Sequence, residues 1–241
     1  MGLKAGLFYR QGINPIASSS PAIPGEFVYR PPEKGPLPVL FADRHILVLD
    51  KPSGLLTVPG NAPERADCLE ARARENYRRA RIIHRLDMDT SGVIVLGLTP
   101  RAHAAISRQF EKRETQKRYI ALVLGETAED AGRVDAPIIT DWPNRPKQHI
   151  DAVNGRQAIT DWEVLERGDG LTRVALTPLT GRSHQLRVHM AHIGHPILGD
   201  KFYAPEAART MRDRLCLHAE KLAFTHPDTG ERVSYESSAP F

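Results

Sequence analysis

The stretch His84-Arg85-Leu86-Asp87-Met88-Asp89-Thr90-Ser91-Gly92, followed by Val93-Ile94-Val95-Leu96-Gly97-Leu98, decides how this chain is read. Polar and charged residues stand between Ile82-Ile83 and an apolar run with the β-branched content of a buried strand. Polar groups at a strand mouth are either turn formers or the makings of a site. On the first reading, Asp87 or Asp89 caps a turn and Arg85 pairs with it.

Working outward, residues 45–49 form a second apolar strand, closed by a turn at Lys51-Pro52-Ser53-Gly54. Asp67 is expected to cap a helix in which Leu69, Ala73, Tyr77 and Ala80 recur at helical spacing. After the strand at 93–99, Thr99 and Pro100 begin a helix that buries Ala102, Ala105, Ile106 and Phe110. Further strands are predicted at 118–125, 161–165, 173–177 and 219–225. Leu186, Met190 and Ile193 share one face of a short helix stopped by Gly194 and Pro196. This irregular mixture, without strict strand and helix alternation or an internal repeat, predicts an α+β fold. Residues 1–38 carry Pro15, Pro21, Pro24, Pro31, Pro32, Pro36 and Pro38 with Ser18 to Ser20, so an extended arm is expected before a folded module at 39–241.

At 241 residues, 41% hydrophobic and 26% charged, the chain has the composition of a globular protein with room for a sizeable core. No apolar run approaches the ~20 residues of a membrane span. The N-terminus lacks the apolar core of a secretory signal, and Gly6 stands where a myristoylation motif requires Ser or Thr, so a cytoplasmic protein is expected. Cys68 and Cys216 lack metal or redox spacing and read as buried, reduced residues.

Lys and Arg total 33 against 29 Asp and Glu, a net charge of +4. The distribution is more telling. No acidic residue occurs in 170–199, which holds Arg173, Arg182, Arg187 and four histidines. In 101–119 six basic residues (Arg101, Arg108, Lys112, Arg113, Lys117, Arg118) accompany two Glu. Such clusters suit a phosphate backbone, although each alone could be a solvated face. The second polar stretch, Thr180-Gly181-Arg182-Ser183-His184-Gln185-Leu186-Arg187-Val188-His189, has no carboxylate of its own, so Arg187 must find an Asp across the fold.

His84-Arg85-Leu86-Asp87 with Thr90-Ser91-Gly92, then Lys117-Arg118-Tyr119, then Gly181-Arg182-Ser183-His184-Gln185-Leu186-Arg187, then Gly194-His195-Pro196-Ile197-Leu198-Gly199-Asp200, closely resemble the RluA-type pseudouridine synthase family over residues 39–241. Asp141-Trp142-Pro143-Asn144-Arg145-Pro146-Lys147-Gln148 resembles a segment of the RluA subfamily, whose substrates are a uridine in a large-subunit rRNA hairpin and one in the tRNA anticodon stem-loop. Two departures stand out. The 38 residues before the module are too few for the S4-like domain that many members carry, and the turn usually written Asn-Lys-Pro is Asp50-Lys51-Pro52.

The resemblance implies a mixed, largely antiparallel sheet with flanking helices and loops. It also implies an enzyme that breaks the uracil N1 to C1′ bond and rejoins the base through C5, without cofactor or metal. Asp87 matches the catalytic carboxylate, which either attacks the sugar or abstracts a sugar proton. Arg187 is the expected partner, since a nearby guanidinium favours the ionised carboxylate. Tyr119 matches a stacking tyrosine that would offset part of the cost of flipping the base. Arg85 would fill the gap the base leaves. RNA contacts are expected from Arg85, His84, Thr90, Lys117, Arg118, Arg145, Lys147, Arg182, His184 and Gln185. The partners implied are rRNA and tRNA stem-loops, bound by a monomer without membrane or nucleotide cofactor.

Two competing readings belong to other classes. A metalloenzyme would use His184, His189, His192 and His195, but the last three run at i, i+3, i+6 without the i, i+4 spacing and nearby Glu or Cys of a helical zinc site. An RNA-binding protein without catalysis would be signalled by loss of Asp87 or Tyr119, and both are present. There is no P-loop, nucleophile elbow or dinucleotide fingerprint.

Overall fold

The computed structural model describes residues 28–241, so residues 1–27 of the expected arm lie outside the described residues. In chain order the elements are β1 (Val39–Ala42), β2 (Ile46–Lys51), α1 (Leu69–Asn76), β3 (Arg81–Ile82), β4 (Ser91–Gly97), α2 (Pro100–Glu111), β5 (Gln116–Leu124) and β6 (Ala131–Asp135). Then follow β7 (Ile138–Thr140), β8 (Gln148–Ile150), β9 (Ile159–Gly168), β10 (Leu171–Pro178), α3 (Gln185–His192), α4 (Glu206–Thr210), β11 (Leu217–Thr225) and β12 (Arg232–Glu236). Ten strands form one sheet along the path β1-β2-β4-β11-β5-β10-β9-β6, with β12 beside β11 and β3 beside β4. Strands β7 and β8 form a separate hairpin. Pairing is antiparallel except between β4 and β11, where His218 faces Ser91 and Ala219 faces Gly92.

The apolar run after Gly92 is continuous because β4 is covered on both faces. Ile94 and Leu96 join Leu47 and Leu49 of β2 against Leu69 and Ala73 of α1. Val93 and Val95 join Ile46 and Val48 against Ala102 and Ile106 of α2, with Leu222 and Phe224 of β11. The period-2 alternation thus feeds two cores from the same two strands. A third core, under α3, gathers Ala121, Val123, Val174, Leu176, Leu186, Met190 and Leu217. Each such fully buried large side chain contributes about 1.5–3 kcal/mol.

Helix α1 departs from expectation at both ends. Its N-cap is Cys68, whose sulfur accepts the Ala71 N–H, not Asp67. The Asp67 carboxylate instead receives two bonds from the buried Arg72 guanidinium, at 2.8 and 2.7 Å. Tyr77 is the C-cap, so Ala80 follows the helix, though both pack on the same core. Arg72 also donates to the carbonyl of Pro32 at 2.7 Å, and Tyr29 donates to that of Asp67 at 2.9 Å. Residues 28–38 therefore lie on α1 without regular structure of their own.

Gly92 permits the central crossing. It sits at φ +115°, and a Cβ there would overlap the backbone carbonyl of Ala219 on β11. Gly92→Ala should cost about 3 kcal/mol or more from strain and overlap. A urea unfolding midpoint equal to the parent's would show that β4 and β11 do not approach so closely.

Candidate active site

Leu86 is buried in the core beneath α1 and anchors the loop that follows it. From there to Asp89 every backbone carbonyl is used. Thr57 Oγ1 donates to Leu86 O at 2.7 Å, and Thr90 N–H to Asp87 O at 3.1 Å. Lys51 Nζ and Gly54 N–H both donate to Met88 O at 2.9 Å, and Ser53 Oγ donates to Asp89 O at 2.7 Å. Lys51 is fully buried and also donates to the carbonyls of Pro52 and Leu55. Burial pushes its ammonium down to about 7, while Asp89 and Asp87 pull it upward. With its backbone so occupied, the loop leaves the Asp87 side chain at the surface of the cleft, 29% exposed.

Facing Asp87 is α3. Its first turn begins at His184, held in the left-handed conformation at φ 54°. Gln185 fixes that turn: Oε1 accepts from Thr180 Oγ1 at 2.7 Å and from Arg182 N–H at 3.0 Å, and Nε2 donates to Ile159 O and Thr160 Oγ1. Arg187, 3% exposed, forms a two-pronged pair with Asp200 at 2.7 and 2.6 Å. Its Nη1 then lies 3.5 Å from Asp87 Oδ2. Burial opposes the guanidinium charge, but the hydrogen-bonded Asp200 more than reverses this and holds Arg187 firmly protonated. Phe202 and Tyr203 each lie 5.2 Å from its central carbon. The expected partnership with Asp87 is therefore a shared one, in which Asp200 is the nearer partner.

His184 Nδ1 lies 2.6 Å from Tyr203 Oη, and Nε2 lies 3.9 Å from Asp87 Oδ2. Because Tyr203 Oη already accepts the Gln148 N–H at 2.9 Å, its own proton is assigned to His184 Nδ1, leaving Nε2–H toward Asp87. Burial lowers the His184 imidazolium below its usual range. It pushes the Tyr203 phenol up to about 12. Tyr119 packs both on the core beneath α1, which holds Leu86, and on the core beneath α3. Burial and then the Asp87 charge raise its phenol far above the ordinary tyrosine range, so it acts as a neutral group.

The remaining residues singled out in the sequence scatter. His84 turns away from Asp87: its ring stacks on Phe110 at 4.4 Å, and Nε2 accepts the Val95 N–H at 3.2 Å. Thr90 is buried beneath the loop, and Gln185 has its amide fully used. Arg118 pairs with Glu220 at 2.7 Å and Glu163 at 3.2 Å. His84, Gln185 and Arg118 are thus bonded within the fold, and Thr90 is buried. Lys117 is half-buried near Arg113, and burial lowers its ammonium. Arg85 is exposed and makes no hydrogen bond or ion pair among the described residues. Arg145 lies over Trp142, with Lys147 nearby in the β7–β8 connection, and Arg182 donates to Gln157 O at 3.0 Å.

Of the histidines considered as ligands, His189 bonds Thr160 Oγ1 and Ala136 O, and His195 bonds Leu124 O. Among the described residues no three His, Cys, Asp or Glu converge on a metal position. Both cysteines are buried and free. Sequence reasoning missed Lys51, Thr57, Asp200 and Tyr203 as parts of the site. Asp200 had a signal, standing in a quoted motif as an acid 13 residues after Arg187.

A ten-stranded mixed sheet carrying one half-exposed carboxylate beside a buried guanidinium and a neutral tyrosine has known counterparts. A profile of RNA pseudouridylate synthases matches residues 45–192, and the chain belongs to that family. It is an isomerase of uridine in RNA. It is 52% identical over 204 residues to the dual-specificity RNA pseudouridine synthase RluA of Yersinia pestis, covering 84% of this chain and 99% of the relative. Identity to the protein of that name from Escherichia coli K12 is 50% over 214 residues, covering 88% and 98%. The solved structure of human RNA pseudouridylate synthase domain containing 1 superimposes with a TM-score of 0.73 at 31% identity, covering 87% of each chain. The expected α+β class and largely antiparallel sheet agree with that structure.

Burial, with a smaller effect from Lys117, pushes the His84 imidazolium down to about 3, so the unfolded chain binds this proton between pH 6.5 and 3 and the folded chain does not. His84 therefore costs the fold stability as pH falls through that window. His84→Gln, which keeps an acceptor for Val95 N–H, should flatten the acid limb of stability measured by urea unfolding and leave RNA affinity intact. An unchanged acid limb would contradict this placement.

Proposed function

We propose that the chain converts uridine to pseudouridine in a large-subunit rRNA hairpin and in the tRNA anticodon stem-loop, with Asp87 as the catalytic carboxylate. The observation that carries the assignment is the Asp87 Oδ2 to Arg187 Nη1 approach of 3.5 Å at the cleft surface. The guanidinium lies beside the carboxylate, whose side chain stays 29% exposed and so within reach of a sugar or base. In the reaction the N1–C1′ bond breaks and a C5–C1′ bond forms. The C5 proton leaves and N1 gains one, so no oxidant or cofactor is consumed. Arg187 and Asp200 position Asp87, and Tyr119 supports the flipped base.

The two-substrate reading is supported by the relatives named dual-specificity RluA, similar over most of their length. Arg85, Arg145, Lys147, Arg182, Lys117 and His184 are the cationic and polar contacts this reading assigns to RNA. Residues 39–241 act as one catalytic module. The protein works as a cytoplasmic monomer; among the described residues no helix is long and apolar enough to cross a membrane.

Asp87→Asn is nearly isosteric but neither nucleophile nor base, so turnover should fall by about 100- to 10,000-fold or more while RNA affinity holds. Tritium release from 5-labelled uridine in an anticodon stem-loop RNA measures it. A rate within tenfold of the parent would remove Asp87 from this role. Tyr119→Phe should keep base stacking, and Tyr119→Ala should lose about 1–3 kcal/mol of it. Unaltered binding and rate in Tyr119→Ala would remove the platform.

A further inference from the structure

Trp142 has no part in the site described above. It is 66% exposed at the tip of the β7–β8 hairpin, while the chain's other tryptophan, Trp162, is 9% exposed. We propose that Trp142, with Arg145, is a second base-binding platform that takes an unpaired nucleobase of the substrate RNA loop, and that Tyr203 holds this platform in register with Asp87. The proposal rests on RNA being the substrate.

The tip is built as a fixed shelf. Asn144 N–H donates to Asp141 O at 3.1 Å, Lys147 N–H to Asn144 O at 3.0 Å, and Asp141 N–H to Lys147 O at 2.9 Å. The guanidinium of Arg145 lies 4.8 Å from the Trp142 ring centroid. An indole under a cation offers a nucleobase both a stacking surface and charge for the adjoining phosphate. The neighbouring carboxylate does not compete, since Asp141 Oδ2 accepts from Asn144 Nδ2 at 2.9 Å. An aromatic flanked by Arg145 and Lys147 favours a polyanion with exposed bases over an apolar protein surface.

The hairpin is also wired to the cleft. At its base Ile138 is buried with Ala158 and Val188 of α3. Tyr203 Oη accepts the Gln148 N–H of β8 at 2.9 Å and meets His184 Nδ1 at 2.6 Å, and His184 Nε2 faces Asp87 at 3.9 Å. One phenol oxygen thus links the strand that carries the shelf to the residue beside the catalytic carboxylate. A loop base seated on Trp142 and a uridine over Asp87 are held at a set spacing.

Anticodon stem-loop RNA titrated into the full-length protein tests this through tryptophan fluorescence and binding affinity. Stacking should quench the exposed indole, and Trp142→Phe should abolish the quench while keeping most of the affinity. Trp142→Ala should weaken binding by about 5- to 150-fold. The same RNA annealed to a complementary strand, with no unpaired base, should bind both proteins alike. Tyr203→Phe should weaken the parent but add little to Trp142→Ala, because both act on one contact. Parent-like affinity of Trp142→Ala overturns the platform, and fully additive losses overturn the Tyr203 linkage. Binding needs no turnover, so an inactive Asp87 assignment and a failed platform give separate results.

Discussion

The site depends on one guanidinium serving two carboxylates. Arg187 is buried, and burying a charge without a partner costs several kcal/mol, so its two-pronged pair with Asp200 is a condition of α3 docking at all. Once both prongs are taken by Asp200, the remaining edge of the planar fork has a fixed direction. Asp87 lies in that direction, 3.5 Å away, half in solvent. A lysine could balance the same charge but could not impose the same geometry.

The opposing half of the cleft meets this demand by a different device. The Asp87 loop contains no regular hydrogen-bonded structure, so its carbonyls require donors from elsewhere. Lys51, Ser53, Gly54 and Thr57 supply them from the end of β2 and the segment that follows it. That segment and the loop are thereby one unit, seated through Leu86 on the core beneath α1. The Asp50-Lys51-Pro52 departure from the usual family turn leaves this arrangement intact, because Lys51 acts through its ammonium, and Asp50 bonds Ser237 Oγ at 2.6 Å in a contact with the C-terminal segment.

Much of this was legible in the sequence, for identifiable reasons. Continuous apolar runs announced β2 and β4, and Thr99-Pro100 announced α2, because these signals are local. The short strands β7 and β8 and the amphipathic β6 and β12 passed unnoticed, since three to five residues of mixed polarity carry no decisive period. The family resemblance marked Asp87 and Tyr119, and the lack of a local carboxylate marked Arg187, whose Nη1 lies 3.5 Å from Asp87 Oδ2. His84, Thr90 and Gln185 are polar residues in the same dense motifs, and a motif does not say which members face the cleft and which hold it together. His84 and Asp87 are three residues apart, yet one stacks on α2 and the other faces α3.

The sharing of Arg187 is tested most directly by Arg187→Lys, which keeps the charge and removes the fork. With RNA saturating and the fold verified by its thermal midpoint, single-turnover pseudouridine formation should fall on the order of 100-fold, the effect of misplacing a reacting group by about 1 Å. A folded Arg187→Lys enzyme that turns over at the parent rate would show that charge alone, and not the direction imposed by Asp200, sets Asp87 for reaction.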